Sequence, residues 1–152
     1  MKLPVLAALA ATLAAHAAAA QEGAPGPQWA SVTPAQARYP TWMDTSSVEA
    51  VGPDRFRARL LLFVPGLPIP LQNGAQADRA LSHVEFDCTQ RTSELLSGDW
   101  RMGEKVVYTL RPSGRAEPWR VSRSESSELQ CQLARRITGA GGGPANPAGV
   151  SP

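Results

Sequence analysis

The only histidine beyond the first twenty residues, His83, heads the stretch His83-Val84-Glu85-Phe86-Asp87-Cys88. Polar and apolar residues alternate through it, the period of a strand with one wet and one dry face. His83, Glu85 and Asp87 share the wet face and form the best acid–base or metal-binding cluster in the chain. Spacing limits what they can do. Same-face neighbours on one strand lie about 7 Å apart, too far for a direct hydrogen bond. A metal would need ligands from other strands too, so an ordinary polar sheet face is expected. A single histidine excludes a histidine-based zinc site, and two distant cysteines do not have zinc-finger spacing. No Walker loop, Gly-x-Ser-x-Gly or Gly-x-Gly-x-x-Gly motif is present. The reading is therefore no enzyme, no cofactor and no metal, with a hydrolase using His83 as the one catalytic alternative.

Two further stretches carry polar chemistry. Asp44-Thr45-Ser46-Ser47 offers a carboxylate beside three hydroxyls. It lacks the acidic spacing of a calcium loop, and short polar side chains bonding nearby backbone N–H groups suit a turn. In Arg55 to Phe63, Arg55, Arg57 and Arg59 alternate with Phe56, Ala58, Leu60 and Leu62. Three guanidinium forks on one strand face are candidate contacts for an acidic protein partner. The competing expectation is a solvated face, with the arginines cross-paired to acids such as Glu85 and Asp87 on a neighbouring strand.

These residues need a scaffold, and the chain supplies about one domain. Met1 to Ala20 pairs Lys2 with an Ala-rich apolar run and ends in Ala18-Ala19-Ala20. This is the pattern of a secretory signal peptide cleaved after Ala20, and it is too short for a membrane anchor. No cysteine lies near that site, so no lipid anchor is expected there. Residues 21–28 form a Gly/Pro leader, residues 29–137 the folded domain, and residues 138–152 a Gly/Pro/Ala tail too poor in large apolar groups to offset its ordering entropy. The chain carries 15 Lys+Arg against 13 Asp+Glu. That near balance gives no overall pull towards nucleic acid or anionic membrane. No later segment is long and apolar enough to span a bilayer. Both cysteines fall in the exported part, so a disulfide is the default.

Several strands are expected before one helix. Trp29–Val32, the ends of Trp42–Val48, Arg55–Phe63, His83–Cys88, Thr92–Ser97, Val106–Leu110 and Pro118–Val121 read as extended. Gly52-Pro53-Asp54 and Arg111-Pro112-Ser113-Gly114 read as turns, and Gly98-Asp99 as a strand break. Val64–Ser82 reads as a long loop, because Pro65, Pro68 and Pro70 deny a ladder its donors. Leu67, Ile69 and Leu71 alternate with those prolines and are the candidate apolar anchors of a contact surface. The helix follows, with Ser122 and Glu125 as a capping box and Leu129, Leu133 and Ile137 as its apolar stripe. Cys131 lies about 200° round from Leu129 and faces away from that stripe. If it bonds into the sheet, the regular helix stops near it or is covered on both sides.

Trp29, Trp42-Met43-Asp44-Thr45-Ser46-Ser47-Val48, Glu85-Phe86-Asp87-Cys88, Gly103-Glu104-Lys105-Val106-Val107-Tyr108, Pro118-Trp119 and Cys131 fall in an order that resembles the surface-adhesin protein E family of bacterial envelope proteins. The resemblance spans nearly the whole domain. It implies an α+β fold, an antiparallel sheet of about six strands with one C-terminal helix packed on it. It also implies a disulfide between Cys88 and Cys131. The founding adhesin binds host matrix and plasma proteins and is lipid-anchored; this chain has no cysteine for the lipid. The expected function is an exported, non-enzymatic, adhesin-like module, secreted, on the cell surface or in the periplasm. The alternative is a resident periplasmic protein of structural or stress-related role that shares only the fold.

Overall fold

In Arg55–Phe63, Phe56, Ala58 and Leu60 are buried while Arg55 and Arg59 are exposed, so the alternation in the sequence is the alternation of a half-wet strand. The fold is built outwards from this strand. The computed structural model describes residues 28–120 and 123–140. The expected signal peptide, the leader up to position 27, Val121, Ser122 and the tail from position 141 lie outside the described residues.

The strands are β1 (Trp29–Ser31), β2 (Thr41–Asp44), β3 (Glu49–Gly52), β4 (Arg55–Phe63), β5 (Ile69–Pro70), β6 (Gln76–Ala77), β7 (Arg79–Asp87), β8 (Thr92–Met102), β9 (Lys105–Leu110) and β10 (Glu117–Pro118). One helix, α1 (Ser124–Thr138), follows them. Eight strands form one antiparallel sheet in the order β1-β2-β4-β7-β8-β10, with β3 also on β4 and β9 also on β8. This is a larger sheet than the six strands the resemblance implied. The additions are short: the polar turn Thr45–Ser47 ends β2 within the expected Trp42–Val48 stretch, a separate four-residue β3 follows Val48, and β10 is a two-residue strand.

The register places the dry faces of the two central strands opposite each other. Phe56 pairs with Phe86 and Ala58 with Val84, and the Phe56 and Phe86 rings lie 5.8 Å apart. Val32, Met43, Leu60, Cys88, Cys131 and Ala134 complete the core. Cys88 and Cys131 are joined by a disulfide, with Cα atoms 5.9 Å apart. It fixes the rotation of α1. The buried helical residues are Ser127, Gln130, Cys131 and Ala134, one face at helical spacing. Leu129 and Leu133 only flank the core, and Ile137 is 40% exposed. The stripe expected from Leu129, Leu133 and Ile137 is thus packed in part, through Leu129 and Leu133, while the most buried face is the one that carries Cys131, and the helix continues past Cys131. The covalent bond sets the rotation, and the Ile137 end of the apolar stripe yields to it. Gly139, with φ of 73°, ends the helix as a left-handed cap.

Two other expectations are corrected. Val64–Ser82 is not one long loop: β5 and β6 form a small hairpin within it, and β7 begins at Arg79. Asn73-Gly74 makes the turn, with Gly74 at φ of 80° and Asn73 Oδ1 accepting from Ala75 N at 3.1 Å. Proline stands here on a short strand outside the main sheet, where a missing donor costs little. Nor does Gly98-Asp99 break a strand, since β8 runs straight through it. Gly98 is there for close approach. A Cβ at that position would lie 2.7 Å from the Leu81 carbonyl oxygen and 3.1 Å from Leu110 Cδ1.

Two stability predictions follow from this packing. Cys131→Ser should destabilise the oxidised protein by about 4 kcal/mol, the chain-entropy value for so long a closed loop. Calorimetry and a thiol titration that finds Cys88 free check it. Gly98→Ala should cost about 1–3 kcal/mol by overpacking, with the clashing atom in backbone that cannot rotate away. Chemical denaturation against wild type reads it.

Candidate functional site

The wet face of the sheet carries the residues that could do chemistry. β4 contributes Arg55, Arg57 and Arg59; β7 contributes Asp87, Glu85 and His83 directly opposite them. Glu85 is buried and uses both carboxylate oxygens: Oε1 accepts from Arg55 Nη2, and Oε2 accepts from Arg57 Nε at 2.8 Å. Arg55 Nε also lies 4.0 Å from Asp87. Asp87 Oδ1 accepts from Gln90 N at 2.7 Å and so shapes the β7–β8 turn. His83 stands between Arg59 and Ser97 in the register, with no carboxylate opposite it. The three candidate chemical residues of β7 therefore share a face, as alternation requires, while Glu85 and Asp87 are engaged with arginines and backbone.

Arg59 is tied on its other side. Its Nη2 donates to Asp44 Oδ2 at the end of β2. Asp44 is fully buried, and its Oδ1 accepts from Ser46 N at 3.0 Å and Ser46 Oγ at 2.6 Å. Ser47 Oγ donates to the Asp44 carbonyl at 2.8 Å and accepts from Arg59 N at 2.8 Å. Asp44-Thr45-Ser46-Ser47 is thus a 3-10 turn that pins β2 and β3 to β4. The hydroxyls bond within the turn and its neighbours.

Burial opposes ionisation of Asp44, but hydrogen bonds from Ser46 and Arg59 outweigh it and hold the carboxyl below the usual aspartate range. Burial also opposes ionisation of Glu85, and hydrogen bonds from Arg55 and Arg57 again win, so its pKa is lowered. Asp54 is lowered mainly by a two-pronged hydrogen bond from Arg135 of α1, at 2.7 Å on each oxygen, with Thr89 adding to it. Asp78 is lowered by Arg79 and by the Gly103 N–H. Sequence reading missed the last two clamps. Arg135 carried a legible signal as a cation in the last helical turn, but the sequence does not tell which turn it meets.

Of the candidate anchors, Leu67 is 89% exposed, next to Gly66 at φ of 83°. Ile69 and Leu71 are only partly exposed: Ile69 is paired to Ala77 in the small hairpin, and Leu71 N donates to Ala75 O at 2.8 Å. The structure does not bring Leu67 together with the Arg55, Arg57 and Arg59 ladder into one cluster of contacts. A shallow pocket of about 220 Å³ lies at the other end of the wet face, lined by Arg55, Glu85, Asp87, Thr92 and Glu94 among others. Among the described residues, no group of three or more His, Cys, Asp and Glu side chains is placed to hold a metal ion, and no helix is long and apolar enough to cross a membrane. Comparison with known proteins returned no matching family model, curated relative or solved structure.

The carboxylates make the domain acid-sensitive in a defined direction. Each has a lower pKa folded than unfolded, so the stabilisation is present above the unfolded values of 3.8 for aspartate and 4.5 for glutamate. It is lost as pH falls through the folded values. Glu85→Gln should cost about 1–2 kcal/mol at neutral pH, because the two arginines it serves are each near half exposed. Its unfolding free energy should also fall less steeply than that of wild type as pH drops below about 4.5. Denaturant unfolding across that range reads both effects.

Proposed function

We propose that this chain is an exported, non-enzymatic, adhesin-like protein-binding domain of the bacterial envelope, akin to the surface-adhesin protein E family. The antiparallel sheet, the single C-terminal helix and the Cys88–Cys131 bond agree with what that resemblance implies. The observation that carries the binding reading is Leu67. A large apolar side chain 89% exposed, on a connection tied down at both ends by sheet and hairpin bonds, is an anchor held ready for a partner's pocket. Ile69 and Leu71 support its position more than they contact the partner. The pairing of Arg55, Arg57 and Arg59 within the sheet favours a second reading, a resident periplasmic protein whose arginines serve only its own fold.

The test uses Leu67→Ser, which removes an exposed side chain and leaves the hairpin intact. Wild-type protein should bind an immobilised host matrix or plasma protein, and the variant should bind it at least about tenfold more weakly, the value of burying one such side chain. Equal binding by the two proteins would remove the loop from the interface. No binding at micromolar concentration, together with full protection of the protein from protease added to intact cells, establishes the resident reading.

A further inference from the structure

A second charged surface lies away from Leu67 and from the paired arginines of β4. Residues 111–120, which follow β9, run as a strap across the outer edge of β8 and carry Arg111, Arg115 and Arg120 against one acid, Glu117. Arg91 joins them from the β7–β8 turn. All four arginines are exposed. Among the described residues, Arg91, Arg111 and Arg120 have no carboxylate within ion-pair distance, while Arg115 meets only Glu117, at 3.8 Å. Arg115 and Arg120 line one open groove together with Ala116, Glu117 and Pro118.

The strap is held firmly. Ser113 N donates to Leu95 O at 3.0 Å, and Ser113 Oγ accepts from Leu95 N at 3.2 Å. Glu117 and Pro118 pair with Ser93 and Thr92. Trp119 N donates to Arg91 O at 2.9 Å, and the Arg91 guanidinium lies 5.1 Å above the Trp119 ring. Trp119 itself packs against the core. The arginine-bearing backbone is therefore fixed before any ligand arrives, which lowers the ordering cost of binding.

We infer that this strap is a docking surface for a linear sulfated polysaccharide. Guanidinium forks match the oxygens of sulfate groups, and Arg115 and Arg120 offer two of them along one open groove. The alternatives fit less well. A membrane surface needs apolar groups to insert, but the exposed residues among these arginines are Pro112, Ser113, Gly114, Ala116, Glu117 and Pro118, and Trp119 packs against the core. Single-stranded nucleic acid needs free aromatic platforms, and Trp119 is taken by the core and by Arg91. Glu85, Asp87 and Glu94, in the pocket on the other side of Ala116, repel anions and bound the surface there. The inference is independent of the protein-binding reading, since Leu67 lies in the connection between β4 and β7.

The experiment measures binding of the full chain to immobilised heparin at low and physiological salt. Short duplex DNA and vesicles of equimolar phosphatidylcholine and phosphatidylserine are measured in parallel. The combined variant Arg111→Gln, Arg115→Gln, Arg120→Gln should bind heparin at least about tenfold more weakly, the sum of three modest charge contacts. A control removing three cations elsewhere, Arg38→Gln, Lys105→Gln and Arg136→Gln, should stay close to wild type, as should Leu67→Ser. Circular dichroism confirms folding, and Arg120→Gln alone decides the matter if the triple variant is unstable. Equal weakening in both triple variants, no retention of wild type on heparin, or tighter binding to DNA or vesicles than to heparin would each overturn the inference.

Discussion

The Cys88–Cys131 bond is the constraint on which the rest of the arrangement depends. It joins the end of the most central dry strand face to the middle of α1, across 43 residues of sequence. Once it forms, α1 has no freedom to choose its buried face by hydrophobicity. Ser127 and Gln130 go inside, and Ile137 comes out. Polar contacts then fit around this fixed seat: Ser126 Oγ donates to Val32 O at 3.1 Å at one end, and Arg135 holds Asp54 at the other. The second clamp has a further consequence. Asp54 adopts φ of 53° in the β3–β4 turn, and its carbonyl accepts from Cys88 N at 3.0 Å. The helix end, the turn and the disulfide-bearing strand end are thus one connected unit.

Among the described residues, α1 gives an apolar cover to one face of the sheet. The other face is stabilised by pairing charges. Each of these ion pairs is worth little by itself, because the arginines remain near half exposed and screened. Their value is in register: a one-residue slip would put Glu85 among Phe56 and Ala58, and the arginines would lose every acid opposite them. The paired face therefore specifies the alignment of β4 and β7 more than it adds stability.

Much of this was legible in the sequence where alternation was strict. Arg55–Phe63 is a strand with the bounds its pattern gives, and the cross-pairing to Glu85 and Asp87 follows from two adjacent strands with complementary wet faces. Two cysteines in the chain made the disulfide readable too. Legibility failed where a residue type has two structural uses. Gly98 reads as a break but serves a close backbone approach, which shows only when the neighbouring Leu81 carbonyl is in place. The prolines of 65–70 read as a loop, although Asn73-Gly74 was a hairpin signal in plain view. The helix rotation was unreadable because the deciding partner of Cys131 lies in another element, and periodicity within α1 carries no information about it.

The arginines show how position decides what a charge can do. Arg55, Arg57 and Arg59 stand on a central strand, with neighbours on both sides, and β2 and β7 supply acids that take them. Arg111, Arg115 and Arg120 stand on a strap whose inner side is fixed to β8 and whose outer side meets no strand among the described residues. The same side chain is spent on the fold in the first place and left available in the second. A charged run in a central strand is therefore weak evidence for a partner, because the sheet itself is the nearest one. A charged run on a pinned edge is stronger evidence, because the fold has fixed the backbone and left the charge unanswered.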